Sequence, residues 1–275
     1  MTKAIVPDPL PISAVLITCN AAAVLSDCLA SVRPLVAEIV LVDSGSQDET
    51  LTIASRFGAR IITQPWLGYG PQKQLAVDQA SHNWVLCLDA DERLTPELTQ
   101  SIRLAWSATE GPSHQAYRMA RCNRFMGRWL RHGEGYPDWQ LRLFHRQHGH
   151  WSSDPVHEQV VTTVAVAALA GDLLHESAEC GIEDYLAKQN RYTSLQARQL
   201  LQRGVVVHGW QICCSPLLRF IKFYLLRRGF LDGVPGLVHI AIGCSNSLVK
   251  YAKLWLLQRD QTDEHKEPES AAVRR

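Results

Sequence analysis

The chain has 275 residues, 46% of them hydrophobic, and a formal net charge of +1 at pH 7. That is enough for a sizeable core in one large domain or a domain plus a smaller appendage, and the charge balance excludes a globally basic nucleic-acid binder. Its eight cysteines form no Cys-x-x-Cys pair, which excludes the usual zinc site and the dense disulfide framework of small secreted domains. Buried, reduced thiols are expected. Met1 to Pro11 carries three prolines and no apolar core, unlike a secretory signal. No uninterrupted apolar stretch reaches the roughly 18 residues of a spanning helix, so a chain facing the cytoplasm is expected.

In chain order, Ile12 to Ile17 is predicted to be a buried strand and Ala21 to Val32 a helix with Asn20 as N-cap. Glu38 to Val42 is a second strand, followed by the loop Asp43-Ser44-Gly45-Ser46-Gln47-Asp48 and a helix over Glu49 to Phe57. A third strand, Ala59 to Thr63, and a helix, Gln72 to Ala80, precede the strand Asn83 to Leu88. This alternation predicts a parallel α/β sheet, in which ligands bind beyond the carboxyl ends of the strands. Thr18 to Asn20, Asp43 to Ser46 and Asp89 to Asp91 all fall at such ends. The run Trp84-Val85-Leu86-Cys87-Leu88-Asp89-Ala90-Asp91-Glu92 is the most telling. Side chains two apart on a strand share a face, so Asp89 and Asp91 are expected to share one Mg²⁺ or Mn²⁺, or a diphosphate bound to it.

Beyond Pro96 a helix is predicted over Glu97 to Ala108. Residues 117–160 are aromatic and arginine-rich, with a strand-like Gln140 to Phe144. Glu183 to Arg203 is an amphipathic helix. Residues 205–258 are apolar and basic, with Pro216, Pro235 and Gly236 punctuating two helices, and the tail Asp260 to Arg275 is charged and expected to be disordered.

The first strand is followed by neither Gly-x-Gly-x-x-Gly nor a Gly-Lys-Ser/Thr loop, which disfavours dinucleotide binding and ATP hydrolysis. The same gap, with no Gly-rich basic loop for a triphosphate, counts against a sugar nucleotidyltransferase. Instead, Asp43-Ser44-Gly45-Ser46-x-Asp48-x-Thr50 together with Asp89-Ala90-Asp91 resembles the family 2 glycosyltransferases of the GT-A fold. Tyr136-Pro137-Asp138-Trp139-Gln140, Arg142-Leu143-Phe144 and Arg227-Arg228-Gly229-Phe230-Leu231-Asp232-Gly233 are similar to one bacterial branch, the lipopolysaccharide core β-1,4-glucosyltransferases.

The resemblance implies an α/β, Rossmann-like, mostly parallel twisted sheet flanked by helices. It places that domain at about 1–204 (donor half about 12–110, acceptor half about 111–204), a helical extension at 205–260 and a disordered tail at 261–275. It also implies roles. Thr18, Asn20, Asp43, Lys73 and Asp89 would bind the nucleotide-sugar donor. Asp91, with Asp89 as its partner, would bind the divalent cation (Mg²⁺ or Mn²⁺). Asp138 would be the catalytic base, with Glu134 as second candidate. Arg121 and Arg142 would bind the acceptor, and His157 is a candidate further metal ligand. The expected reaction is inverting transfer of a hexose, glucose from UDP-glucose, to a lipopolysaccharide inner-core heptose. The alternative is another donor and another cell-envelope glycan; a non-catalytic membrane scaffold is disfavoured by the intact Asp43, Asp89 and Asp91.

Arg118, Arg121, Arg124, Arg128 and Arg131, spaced by three or four residues and interleaved with Phe125 and Trp129, form a patch expected to suit phosphate or acidic sugars. The segment Pro216 to Asp232, with Arg219, Lys222 and Arg227 among large apolar residues, has the composition of an interfacial helix on anionic lipid. Leu248 to Leu257 is similar. A peripheral protein of the inner-membrane surface, with no nucleic-acid partner, is therefore expected.

Overall fold

A computed structural model describes residues 8–107, 111–154, 158–176 and 181–264. The chain forms two compact units, Met1–Arg124 with Pro137–Ala178, and Phe125–Tyr136 with Glu179–Arg275.

In the first unit, β1 (Leu10–Thr18), β2 (Val36–Asp43), β3 (Arg60–Thr63) and β4 (Trp84–Asp89) alternate with α1 (Ala22–Val32), α2 (Thr50–Arg56) and α3 (Tyr69–Asp78). Then come β5 (Glu92–Leu94), α4 (Pro96–Ala105) and β6 (Ala116–Phe125). The second unit's short β7 (Arg128–Trp129) intervenes, and the first unit resumes with β8 (Asp138–His145), β9 (Gly149–Trp151), β10 (Val160–Thr162) and β11 (Val166–His175). Eight of these strands line up as β3-β2-β1-β4-β8-β6-β11-β5. The β3-β2-β1-β4 half is parallel, as expected. Beyond it β8 is antiparallel to both β4 and β6, so the sheet is mixed.

Five residues of β1 (Leu10, Ile12, Ala14, Val15 and Leu16) are at most 3% exposed. A strand buried on both faces is what a central parallel position requires. Its alternate side chains feed two cores. Ile12, Ala14 and Leu16 pack with Leu25 and Leu29 of α1 and Leu98 and Ile102 of α4. Val15 packs with Ala76 and Val77 of α3, Phe144 and Trp151.

Asn20 does not cap α1. Its backbone is left-handed at φ 51° and its side-chain oxygen accepts from Gln47 N at 2.8 Å. The first amides of α1 are met from the neighbouring loop, Ala21 N by Thr50 Oγ1 and Ala22 N by Asp48. That exchange ties the β1 and β2 loops together. β4 ends at Asp89, within one residue of the expected end at Leu88; Ala90 and Asp91 form a turn, and a further strand that was not expected begins at Glu92. Of the arginine run, Arg118, Arg121 and Arg124 lie on strand β6, whose successive side chains alternate between faces.

The second unit is helical apart from β7. It contains α5 (Ile182–Gln202), α6 (Gly209–Phe220), a π-helical turn (Ile221–Leu226), a 3-10 turn (Gly229–Asp232) and α7 (Gly233–Glu264). By its contacts α5 belongs here, not to the sheet domain expected to reach residue 204. Pro216 lies inside α6 rather than ending it, and Pro235 sits in the first turn of α7, where a missing N–H costs little. Residues 261–264, expected in a disordered tail, continue α7. Among the described residues no helix is long and apolar enough to cross a membrane. Cys28, Cys87 and Cys122 are buried as expected, but Cys19, Cys213 and Cys214 are exposed, and all seven described cysteines are free.

Candidate active site

Register builds the site. Thr18 pairs with Asp43 across β1 and β2, and Ile17 pairs with Asp89 across β1 and β4, so these acids reach one sheet edge. Antiparallel β8 brings Asp138 to the same region, opposite Arg121 of β6. His175, the last residue of β11, pairs with Glu92 on one side and Asn123 on the other.

At the first corner, Asp43 is 1% exposed. One oxygen accepts from Gly45 N and Ser46 N at 2.9 and 2.8 Å, the other from Thr18 Oγ1 at 2.9 Å and from Ser46 Oγ. Burial pushes its pKa up, but these four donors outweigh it and hold the carboxyl below its ordinary value. The carboxylate is thus filled by its own loop. Asn20 N donates to Ser46 Oγ at 2.8 Å, fastening the neighbouring loop to the same frame.

A chain of alternating charge crosses the rest of the site. Lys73, on α3, is 8% exposed and its Nζ lies 2.9 Å from Asp89 Oδ1 and 3.4 Å from Glu158 Oε1, over the Trp151 ring at 4.7 Å. The other Asp89 oxygen accepts from Arg142 at 2.6 Å, and Arg142 also donates to Glu92 at 2.7 Å. Glu92, 0% exposed, closes the turn by accepting from Asp89 N at 3.0 Å. Arg121 lies 3.5 Å from Glu92 and 2.7 Å from Asp138, and Gln140 donates to Asp138 at 2.7 Å. Burial raises the Asp89 pKa, yet Arg142 and then Lys73 overcome it and hold the carboxyl well below the usual carboxylate range.

Asp89 and Asp91 do not present one shared face. Asp89 is committed to two cations, whereas Asp91 Oδ2 lies 3.3 Å from His175 Nε2. His175 Nδ1 is 2.7 Å from Asn123 Oδ1. The ring is thus held between the Asn123 amide on one side and the Asp91 carboxylate on the other. A carboxylate oxygen and an imidazole nitrogen are donor types that suit a divalent cation. Among the described residues no group of three or more His, Cys, Asp or Glu could hold a metal. Two protein donors would leave the other positions of such an ion to phosphate oxygens and water.

The expected site residues Thr18, Asn20, Asp43, Lys73, Asp89, Asp91, Arg121, Asp138 and Arg142 all lie in the first unit. Arg142, expected to face an acceptor, is 3% exposed and bonded inward to Asp89 and Glu92. Glu134, the second base candidate, lies in the other unit and pairs with Arg219. His157 lies outside the described residues. Sequence reasoning missed Glu92, Glu158 and His175. The last carried the same signal as Asp43 and Asp89, a polar residue ending an apolar strand, in Leu173-Leu174-His175.

Comparison with known proteins identifies relatives of the chain. A family model described as glycosyl transferase family 2 matches residues 13–162. An uncharacterized glycosyltransferase of Rickettsia felis is 31% identical over 88% of this chain and 89% of its own length. The lipopolysaccharide core biosynthesis glycosyltransferase LpsC of Rhizobium meliloti is 30% identical over 90% of this chain and 92% of its own. Among solved structures, mannosyl-3-phosphoglycerate synthase from Rubrobacter xylanophilus aligns with a TM-score of 0.46 at 18% identity, over 72% of this chain and 76% of that one.

Proposed function

The chain belongs to glycosyl transferase family 2 and is a glycosyltransferase, and from that premise we propose its donor, its acceptor and the roles of its residues. The donor is UDP-glucose, the acceptor a heptose of a lipopolysaccharide inner core, and the transfer inverts configuration. The observation that carries this reading is the unbroken charge chain from Lys73 to Asp138, with the Asp91–His175 pair beside it.

Asp138 removes the proton from the acceptor hydroxyl as its oxygen bonds to the anomeric carbon and the bond to the diphosphate breaks. Arg121 and Gln140 orient that carboxylate, and Arg121 keeps N–H donors for the acceptor. Lys73, held between Asp89 and Glu158, supplies positive charge to the donor's diphosphate. Thr18, Asn20 and Asp43 shape the nucleoside pocket: Asp43 acts through the Ser44-Ser46 loop that it organises. Arg142 is a positioning residue, fixing Asp89 against Glu92. Asp91 and His175 would hold a divalent cation, which when bound neutralises charge on the departing diphosphate.

The reading also places the protein at the inner-membrane surface. Leu217, Leu218, Leu225 and Leu226 are 60%, 64%, 52% and 75% exposed, with Lys222, Arg227 and Arg228 exposed among them. Large apolar side chains left in water beside basic ones are the composition of an interfacial segment.

The test is calorimetric titration of UDP-glucose into the full chain, with Mn²⁺ and then with chelator, on wild type and on Asp91→Ala and His175→Ala. Metal-dependent binding that both variants lose by at least tenfold supports the assignment. Binding that survives chelation in wild type removes the cation from the reading. If UDP binds where UDP-glucose does not, glucose is the wrong sugar.

A further inference from the structure

The helical unit contains a cavity of about 220 Å³ between α5, α6, α7 and the 125–136 segment. At about 30 Å³ per water this is room for about seven waters, or for one sugar ring. Every residue that lines it is polar or charged, which sets it apart from a packing defect, since genuinely empty cavities are apolar. Inside it Arg219 Nε donates to Glu134 Oε2 at 3.0 Å, so these two charges cancel. Lys250 remains. Among the described residues no carboxylate pairs with its ammonium, which lies 4.5 Å from the Tyr251 ring centroid. The Asn246 amide spends one donor on Gln189 at 2.9 Å and keeps its oxygen, while the Tyr192 hydroxyl and the Gln196 amide bond to no described residue.

We propose that this cavity binds a saccharide unit carrying one anionic group, phosphate or carboxylate, with Lys250 meeting the anion and Tyr192, Gln196 and Asn246 meeting ring hydroxyls. One uncompensated cation among neutral donors and acceptors matches one anionic group on a hydroxyl-rich ligand. An apolar ligand finds a predominantly polar wall there. Burial, reinforced by the like charge of Arg219, lowers the Lys250 pKa, a penalty that a bound anion relieves. The inference does not rest on the transferase reading, because none of its residues belongs to the first unit.

The experiment is titration of the full chain with glucose 6-phosphate, glucuronate, glucose and inorganic phosphate, with UDP plus Mn²⁺ as an independent readout of the other site. Saturable binding of glucose 6-phosphate or glucuronate, at least tenfold tighter than glucose and than inorganic phosphate, is expected; which of the two binds names the anion. Lys250→Met should weaken it at least tenfold, Lys250→Arg should largely restore it, and Gln196→Met should weaken it while keeping the preference over glucose. UDP binding should be unchanged in all three. Binding by neither anionic sugar, equal binding by glucose or by inorganic phosphate, or full binding by Lys250→Met overturns the proposal. Should Lys250→Met not fold, Gln196→Met with the four-ligand comparison on wild type still decides.

Discussion

Arg142 is the counter-ion on which the centre of the site depends. It is buried against Glu92, itself 0% exposed, and against Asp89, so Arg142→Met would leave a buried carboxylate with only the more distant Arg121. Removing one partner of such a pair typically costs about 3–5 kcal/mol, and urea denaturation should read a loss of that order. A change below about 1 kcal/mol would mean that water already solvates Glu92. Asp91 is different, lying in a turn at an open strand end with 27% of its side chain exposed. Asp91→Ala should abolish sugar transfer with little change in Tm; loss of the thermal transition together with activity would make it structural. Glu38 reports on the sheet itself. Burial raises its pKa, but hydrogen bonds from Ser13, Ser81 and Arg60 prevail and bring it down to about 2 from 4.5. The folded pKa lies below the unfolded one, so the stabilisation is complete above pH 4.5 and is lost as pH falls toward 2. Solvent screening limits it to about 2 kcal/mol at most. Glu38→Gln should flatten the fall of Tm across that window, and an unchanged slope would assign acid lability elsewhere.

At the scale of elements, the Arg227-to-Gly233 segment is a structural clasp within the helical unit. Arg228 and Gly233 take left-handed backbones at φ 53° and 65°, which turns the chain sharply between the π turn and α7. Asp232, 2% exposed, accepts from Arg131 N, His132 N and His132 Nδ1 at 3.0, 2.8 and 3.0 Å. A Cβ on Gly229 would stand 2.7 Å from Phe223 O and also collide with the Ile240 side chain. Gly229→Ala should therefore cost about 1–3 kcal/mol through overpacking, read as a lower Tm; an unaltered Tm would show that α7 shifts freely. The turn between β4 and β5 has a comparable logic. The apolar run to Leu88 foretold the end of β4, but nothing local said that a new strand would begin at Glu92. That was decided by Glu92 reaching back to Asp89 N and by β11 pairing with β5.

For the molecule as a whole, the exposed leucines of 217–226 and their basic neighbours predict binding to vesicles of anionic lipid. A basic residue near such a surface contributes about 1 kcal/mol, so sedimentation with phosphatidylglycerol vesicles should fall steeply with salt and be weak with phosphatidylcholine. Leu225→Ser with Leu226→Ser should release the protein from vesicles while UDP binding persists; equal binding to neutral vesicles would refute the electrostatic part. The alternation of strands and helices, the sheet edge that gathers Thr18, Asp43 and Asp89, and the family itself were legible from sequence, because hydrophobic period and loop chemistry are local properties. Which charge meets which was not. Arg142 finds Glu92 across fifty residues, and Asp91 meets His175 through β11, pairings that depend on strand register between distant segments. An arginine spaced as an acceptor ligand became an internal counter-ion, and two acids spaced to share a cation took different partners. Short-range pattern determines what each segment becomes, but only the closed sheet, where burial makes every unpaired charge costly, decides its partners.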